Sequence, residues 1–156
     1  LLTKERFEHS LRVEKMAVRL AGKWGGSVKL ASQAALLHDS ARRSHLDGLT
    51  HASSGAELAR RRFGIKRLSV WRAIRRHTLG APRMSLLDKI IYLADHLETG
   101  RDYRGVKDLR LLAFKDLNEA VLATAESVLR YLREHDRPID PRTLKTRNYY
   151  RSMRKR

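Results

Sequence analysis

The chain of 156 residues contains no cysteine. That absence excludes disulfides, zinc ribbons and thiol nucleophiles, and it suits a reducing compartment such as the cytoplasm. Long apolar runs are also missing. The longest, Ile90-Ile91-Tyr92-Leu93-Ala94, is far too short for a membrane span or a secretory signal. No internal repeat and no sustained strand-like alternation is present. Neither a Walker A loop nor a GxGxxG fingerprint occurs, so no glycine-rich loop is available to cradle phosphate. No serine stands against a histidine and an acid in a spacing that suggests a nucleophilic triad. Acidic residues are scarce as well: 17 against 34 basic ones, for a formal net charge of +17.

What is present is enough apolar material for one core. Hydrophobic residues make up 42% of the chain, and the length asks for only one domain. The charge is unevenly spread. Beyond Asp140 come Arg142, Lys145, Arg147, Arg151, Arg154, Lys155 and Arg156, with no acidic residue; without them the net charge is 17 − 7 = +10. A surface of this kind attracts polyanions, whether nucleic acid or a polyphosphate ligand.

Helical periodicity dominates and predicts an all-α domain. Helices are expected over Lys4–Trp24, stopped by Gly25-Gly26, and over Val28–Arg43. A polar loop, 44–50, leads to helices over Ser53–Phe63, Leu68–His77 and Ser85–Leu97. Short helical pieces then precede a long helix, Leu117–His135, which Pro138 and Pro141 terminate. The basic tail is expected as either a short helix or a disordered segment.

Placing polar residues on these helices puts several on apolar rows, because positions three, four and seven apart share a face. His9 joins Val13, Met16 and Leu20. His38 continues Ala31 and Ala34, His77 continues Val70 and Ile74, and Asp95 continues Leu87 and Ile91. His51 heads a row with Gly55 and Leu58, and Asp39 adjoins His38. A lone inward histidine is more often a core residue satisfied by a hydrogen bond. His45 and His96 are read that way, and His135 as a helix-end histidine beside C-terminal carbonyls. Five inward ionisable groups from five segments are another matter, since burying them without compensation is costly. Neutral imidazoles and two carboxylates form a nitrogen/oxygen donor set suited to Fe, Mn, Zn, Co or Ni.

The order His9 … His38-Asp39 … Asp95 resembles the HD-domain phosphohydrolase superfamily. The resemblance tightens over Ile74-Arg75-Arg76-His77-Thr78-Leu79-Gly80, then Met84-Ser85-Leu86-Leu87-Asp88-Lys89-Ile90-Ile91-Tyr92-Leu93-Ala94-Asp95, Glu98 and Arg101. With His51-Ala52-Ser53-Ser54-Gly55-Ala56, these stretches are similar to the YqeK-type family of bacterial symmetrical diadenosine tetraphosphatases, over about Phe7 to Tyr149. Two positions depart from that pattern: Arg42 stands where lysine is common, and Ala52 where glycine is common.

The resemblance implies an HD-type metal-dependent phosphohydrolase domain at residues 1–141, followed by a basic tail at 142–156. It implies hydrolysis of diadenosine tetraphosphate to two ADP, in the cytoplasm, by a homodimer holding one or two divalent metal ions, with Fe favoured. His9, His38, Asp39 and Asp95 would be the core metal ligands. His51 and His77 match histidines that ligate a second metal or approach phosphate in related enzymes, and with Asp39 they form the expected catalytic set. The proposed attack is on a β-phosphorus, with Asp39 or a nearby carboxylate orienting the water. Arg42, Thr78, Lys89 and Arg101 are the candidates for meeting the tetraphosphate. The competing readings are another HD phosphohydrolase, such as a nucleotidase or alarmone hydrolase, and a non-enzymatic RNA- or ribosome-associated module. The tail could bind RNA weakly in any of these.

Overall fold

The computed structural model describes residues 3–41 and 51–154, whose regular structure is all helical, with no strand among them. Among the described residues eight helices follow one another: α1 Lys4–Trp24, α2 Val28–Leu37, α3 His51–Arg62, α4 Leu68–Arg76, α5 Leu86–Leu97, α6 Val106–Ala113, α7 Leu117–Glu134 and α8 Pro141–Arg154. No helix among the described residues is long and apolar enough to cross a membrane.

Local signals set most of the boundaries. The Thr3 side chain accepts a hydrogen bond from the Arg6 amide at the start of α1, and Gly25 ends that helix in the left-handed region, φ 70°. Ser27 caps α2 and Asp116 caps α7 through the Asn118 and Glu119 amides. Helix α5 begins with a reciprocal box: Ser85 Oγ accepts from the Asp88 amide, and Asp88 Oδ2 accepts from the Ser85 amide. Arg76 Nη1 also donates to Asp88 Oδ2, at 2.7 Å, which ties the end of α4 to the start of α5.

Helix α5 is the axis of the fold and packs against α1, α2, α4, α6 and α7. Ile90, Ile91, Leu93, Ala94 and Leu97 are all buried, so it reads as apolar on nearly every side. Each isoleucine or leucine so buried contributes about 1.5–3 kcal/mol. Asp95 sits on this helix, and the core that surrounds α5 therefore fixes where its carboxylate lies.

Helix α2 stops at Leu37 instead of running to Arg43, and the reason is local. His38 Nδ1 donates to the Ala35 carbonyl at 2.6 Å, taking an acceptor that the Asp39 amide would use in a continuing helix. Helix α4 ends the same way, with His77 Nδ1 donating to the Ile74 carbonyl at 2.6 Å. Each histidine thus both closes a helix and fixes its own ring. Residues 42–50 lie outside the described part, and with them Arg42, His45 and the polar loop.

The stretch beyond Asp140 forms α8, which packs on α7 and buries Thr143, Thr146 and Tyr150. Tyr150 Oη accepts from the Met84 amide, and Thr146 Oγ1 donates to the Leu79 carbonyl at 2.9 Å. Gly80, at φ 67°, makes that approach possible, since a Cβ there would lie 2.7 Å from Thr146 Cγ2. The basic helix therefore braces the turn that carries His77 and Thr78.

Candidate metal centre

The inward residues meet at one place. His9 comes from α1, His38 and Asp39 from the turn after α2, and His51 from the first residue of α3. His77 and Thr78 come from the turn after α4, and Asp95 from α5. Adjacent rings stand close: His9 to His38 at 5.3 Å between centroids, His38 to His77 at 4.9 Å, and His51 to His77 at 5.1 Å. Two groups place their donor atoms within 4.8 Å of one another, His9–His38–Asp95 and His38–Asp39–His77.

Asp39 joins the two halves. Its Oδ2 faces His38 Nε2 at 3.8 Å, while Oδ1 lies 3.5 Å from His51 Nε2 and 3.6 Å from His77 Nε2. Asp95 Oδ1 lies 3.1 Å from His9 Nε2 and 3.6 Å from His38 Nε2. Thr78 Oγ1 is 3.1 Å from both His51 Nε2 and His77 Nε2.

The protonation pattern bears on whether a cation suits this cluster. His38 Nδ1 must donate, because its partner is a carbonyl, so in the neutral ring Nε2 carries a lone pair. That Nε2 is buried, makes no hydrogen bond, and faces carboxylate oxygens of Asp39 and Asp95. A lone pair aimed at two carboxylates is repulsive unless a positive charge stands between them. His9 shows the same demand differently: both of its ring nitrogens face carboxylates, Nε2 on Asp95 and Nδ1 on Glu98, each at 3.1 Å. Burial opposes its charge, yet the hydrogen bonds to Asp95 and Glu98 prevail and raise the His9 pKa to about 9. Burial likewise opposes ionisation of Asp39 and Asp95, but their histidine partners hold both well below the usual carboxylate range. The donor set fits a divalent cation.

Glu98 belongs to this arrangement although its role was not expected. It is 2% exposed, and it orients His9 while accepting from Arg12 Nε at 2.7 Å and from the Gly100 amide. Its pKa is pulled down to about 2: burial resists, but the His9, Arg12 and Gly100 hydrogen bonds outweigh it. A carboxylate behind a ligating histidine fixes ring orientation and raises ligand basicity. The signal was present in the sequence, since Ile91, Asp95 and Glu98 continue one helical row. Arg110, which no sequence pattern singles out, supports the same segment. It donates from Nε to the Leu97 carbonyl at 2.7 Å and from Nη2 to the carbonyls of Glu98, 2.8 Å, and Arg101, 2.6 Å.

The expected phosphate contacts divide. Arg101 Nη2 donates to Asp95 Oδ1 at 3.0 Å, with its side chain 40% exposed, so it stands at the edge of the cluster. Thr78 is inside it. Lys89 instead turns to α7, where Nζ donates to Asn118 Oδ1 at 2.8 Å. His96 Nδ1 donates to the Tyr92 carbonyl at 2.7 Å, and His135 Nδ1 to the Tyr131 carbonyl at 2.9 Å, within their own helices.

A helical core that gathers His, His-Asp and Asp from separate helices defines an HD-type hydrolase. Comparison with known proteins agrees: the HD domain family model matches residues 6–100, and the chain belongs to that family, the metal-dependent phosphohydrolases. It is 37% identical over 167 residues to the symmetrical bis(5'-nucleosyl)-tetraphosphatase of Halalkalibacterium halodurans, spanning 94% of this chain and 89% of the relative. The enzyme of the same name from Bacillus subtilis is 34% identical, over 95% of this chain and 90% of that one. Among solved structures, a crystal structure from Clostridium acetobutylicum, described as an HD superfamily hydrolase involved in NAD metabolism, superposes with a TM-score of 0.88. It is 34% identical, with 97% of this chain and 92% of that chain covered.

Proposed function

We propose that this protein hydrolyses diadenosine tetraphosphate, or a related dinucleoside polyphosphate, symmetrically to two ADP. The relatives carry this activity in their names and match nearly end to end. The observation that carries the reading is the convergence of His38 Nε2 with Asp39, Asp95 and His9 in one buried cluster.

His9, His38, Asp39 and Asp95 would hold a divalent ion, and His51 and His77, with Asp39 between, would hold a second or face the phosphate. Iron is the proposed metal, in keeping with a donor set of imidazoles and carboxylates without sulfur. When bound, such an ion lowers the pKa of water towards neutrality and polarises the phosphoryl oxygen. The remaining work falls to the chain. Asp39, held ionised, accepts a hydrogen bond from the attacking water and turns its lone pair towards a β-phosphorus. The new oxygen–phosphorus bond forms as the central bridging bond breaks, the second ADP leaves with that bridging oxygen, and the proton lost by the water passes to solvent. Arg101 and the Thr78 hydroxyl meet the phosphate charge.

The test is product analysis after incubation with diadenosine tetraphosphate and ferrous iron under exclusion of oxygen. Two ADP as sole product, abolished by a chelator, supports the proposal. Turnover of mononucleotides alone would assign a different HD phosphohydrolase, and absence of any turnover would overturn the enzymatic reading.

A further inference from the structure

The two ends of the α3–α4 hairpin differ in chemistry. His51 opens α3 and His77 follows α4, so the metal centre lies at one end. The other end is roughly 16 Å away along α3. There the turn 63–67 joins the helices beside a cavity of about 490 Å³. Its walls include Arg60, Lys66, Arg67, Ile65, Leu68 and Trp71, and no acid. Charge here is one-sided: from Arg60 to Arg76 the chain carries eight basic residues and no acidic one. Arg61 pairs with Glu57 and Arg76 with Asp88. Arg60, Arg62, Lys66, Arg67 and Arg75 are exposed and make no ion pair among the described residues. The basic tail differs, because Arg142, Arg151 and Arg154 pair with Asp140, Glu126 and Glu119. Of the two basic stretches, the hairpin turn is the one left largely unneutralised. Apolar surface accompanies the charge. Phe63 is 55% exposed and Leu68 65%, and the Arg75 guanidinium lies over the Trp71 ring, 5.2 Å from its centroid.

We propose that this end of the hairpin binds single-stranded nucleic acid, with phosphates on Arg60, Lys66 and Arg67 and bases against Phe63 and Trp71. Such binding is independent of the hydrolase reading, since no proposed metal ligand belongs to this surface. Basic groups spaced along a turn and two helix ends match the repeated charges of a polynucleotide backbone. A single point charge would need fewer of them. A duplex hides the faces of its bases, whereas an unpaired strand offers them to exposed rings, which accept any base. An anionic bilayer would meet the same charge, but its flat headgroup plane leaves a recess lined by arginine and tryptophan unfilled.

The experiment follows the fluorescence anisotropy of a labelled single-stranded RNA of about 16 nucleotides on titration with the full chain. Single-stranded DNA of the same sequence, the RNA duplex and phosphatidylglycerol vesicles are run beside it. Wild type is expected to bind single strands more tightly than duplex or vesicles, and the tighter of RNA and DNA identifies the polynucleotide. Arg60→Ala, Lys66→Ala and Arg67→Ala combined should weaken binding by about 10-fold or more at low salt. The slope of log affinity against log salt should become shallower by about 2 in that variant. Phe63→Ala should weaken binding about 10-fold with an unchanged slope, and Phe63→Tyr should retain affinity. Arg151→Ala with Arg154→Ala should leave affinity unchanged. All these side chains are exposed, so circular dichroism of each variant should match wild type. Four results would each overturn the proposal: no salt-dependent binding by wild type, equal binding of duplex, binding of vesicles alone, or loss of binding in the α8 variant but not in the hairpin variants.

Discussion

His38 and His77 meet edge to face, 88° between ring planes, and each commits Nδ1 to the carbonyl three residues before it. The two rings are thereby oriented by their own backbones before any ion arrives. Both Nε2 atoms point to Asp39, an arrangement that would suit the ligand pair proposed above.

Removing that shared carboxylate should end activity without ending the fold. Asp39→Ala is expected to abolish turnover and to lower metal content, while helical circular dichroism stays near wild type. Metal analysis and product chromatography on the same sample check this. Normal hydrolysis by the variant would sink the ligand assignment.

Glu98 acts one step behind. Glu98→Gln keeps the size of the side chain but weakens its hold on His9 and Arg12. Metal affinity should fall by about 10–100-fold, the usual effect of losing such a supporting carboxylate. A competitive chelator titration measures it, and unchanged affinity would leave Glu98 with a purely structural place.

Arg110 gathers three carbonyls of the segment that carries Glu98 and Arg101. Arg110→Ala strips these charge-assisted bonds and should cost about 3 kcal/mol in denaturant unfolding. Lysine cannot reproduce the fork, so Arg110→Lys should recover only part of the loss. A variant as stable as wild type would show that the segment holds itself.

Tyr150 gives a prediction in alkali. Burial pushes its pKa up to about 12, against an ordinary value near 10. Because the folded pKa is the higher, the neutral phenol favours folding fully below about pH 10, and that contribution is lost as pH rises through 12. Tyr150→Phe removes the acceptor for the Met84 amide, at a cost of about 1–2 kcal/mol. It should also flatten the decline in stability between pH 10 and 12. Equal pH slopes in the two proteins would contradict the account.

The helices were legible because their signals are local. Val13, Met16 and Leu20 recur on one face of α1, Gly25 closes it, and Ser85 with Asp88 opens α5. The end of α2 was not legible, since nothing in the run Leu36–Arg43 announces that the His38 side chain takes the Ala35 carbonyl. The tail offered a choice between helix and disorder. Its place was decided by Tyr150 and Thr146 reaching residues 84 and 79, contacts too distant along the chain for periodicity to show.

The sequence by itself determined which groups face inward: His9, His38, His51, His77 and Asp95 each lie on an apolar row, and burial follows from that. Only the tertiary structure decided that these rows converge and that Asp39 stands between two sets of imidazoles. It alone drew Lys89 aside to Asn118, while Glu98 and Arg110 secure the rim. The physical reason is that periodicity reports the direction of a side chain about its own helix axis. Distances between donors depend on how the helices pack around α5, which no single helix encodes.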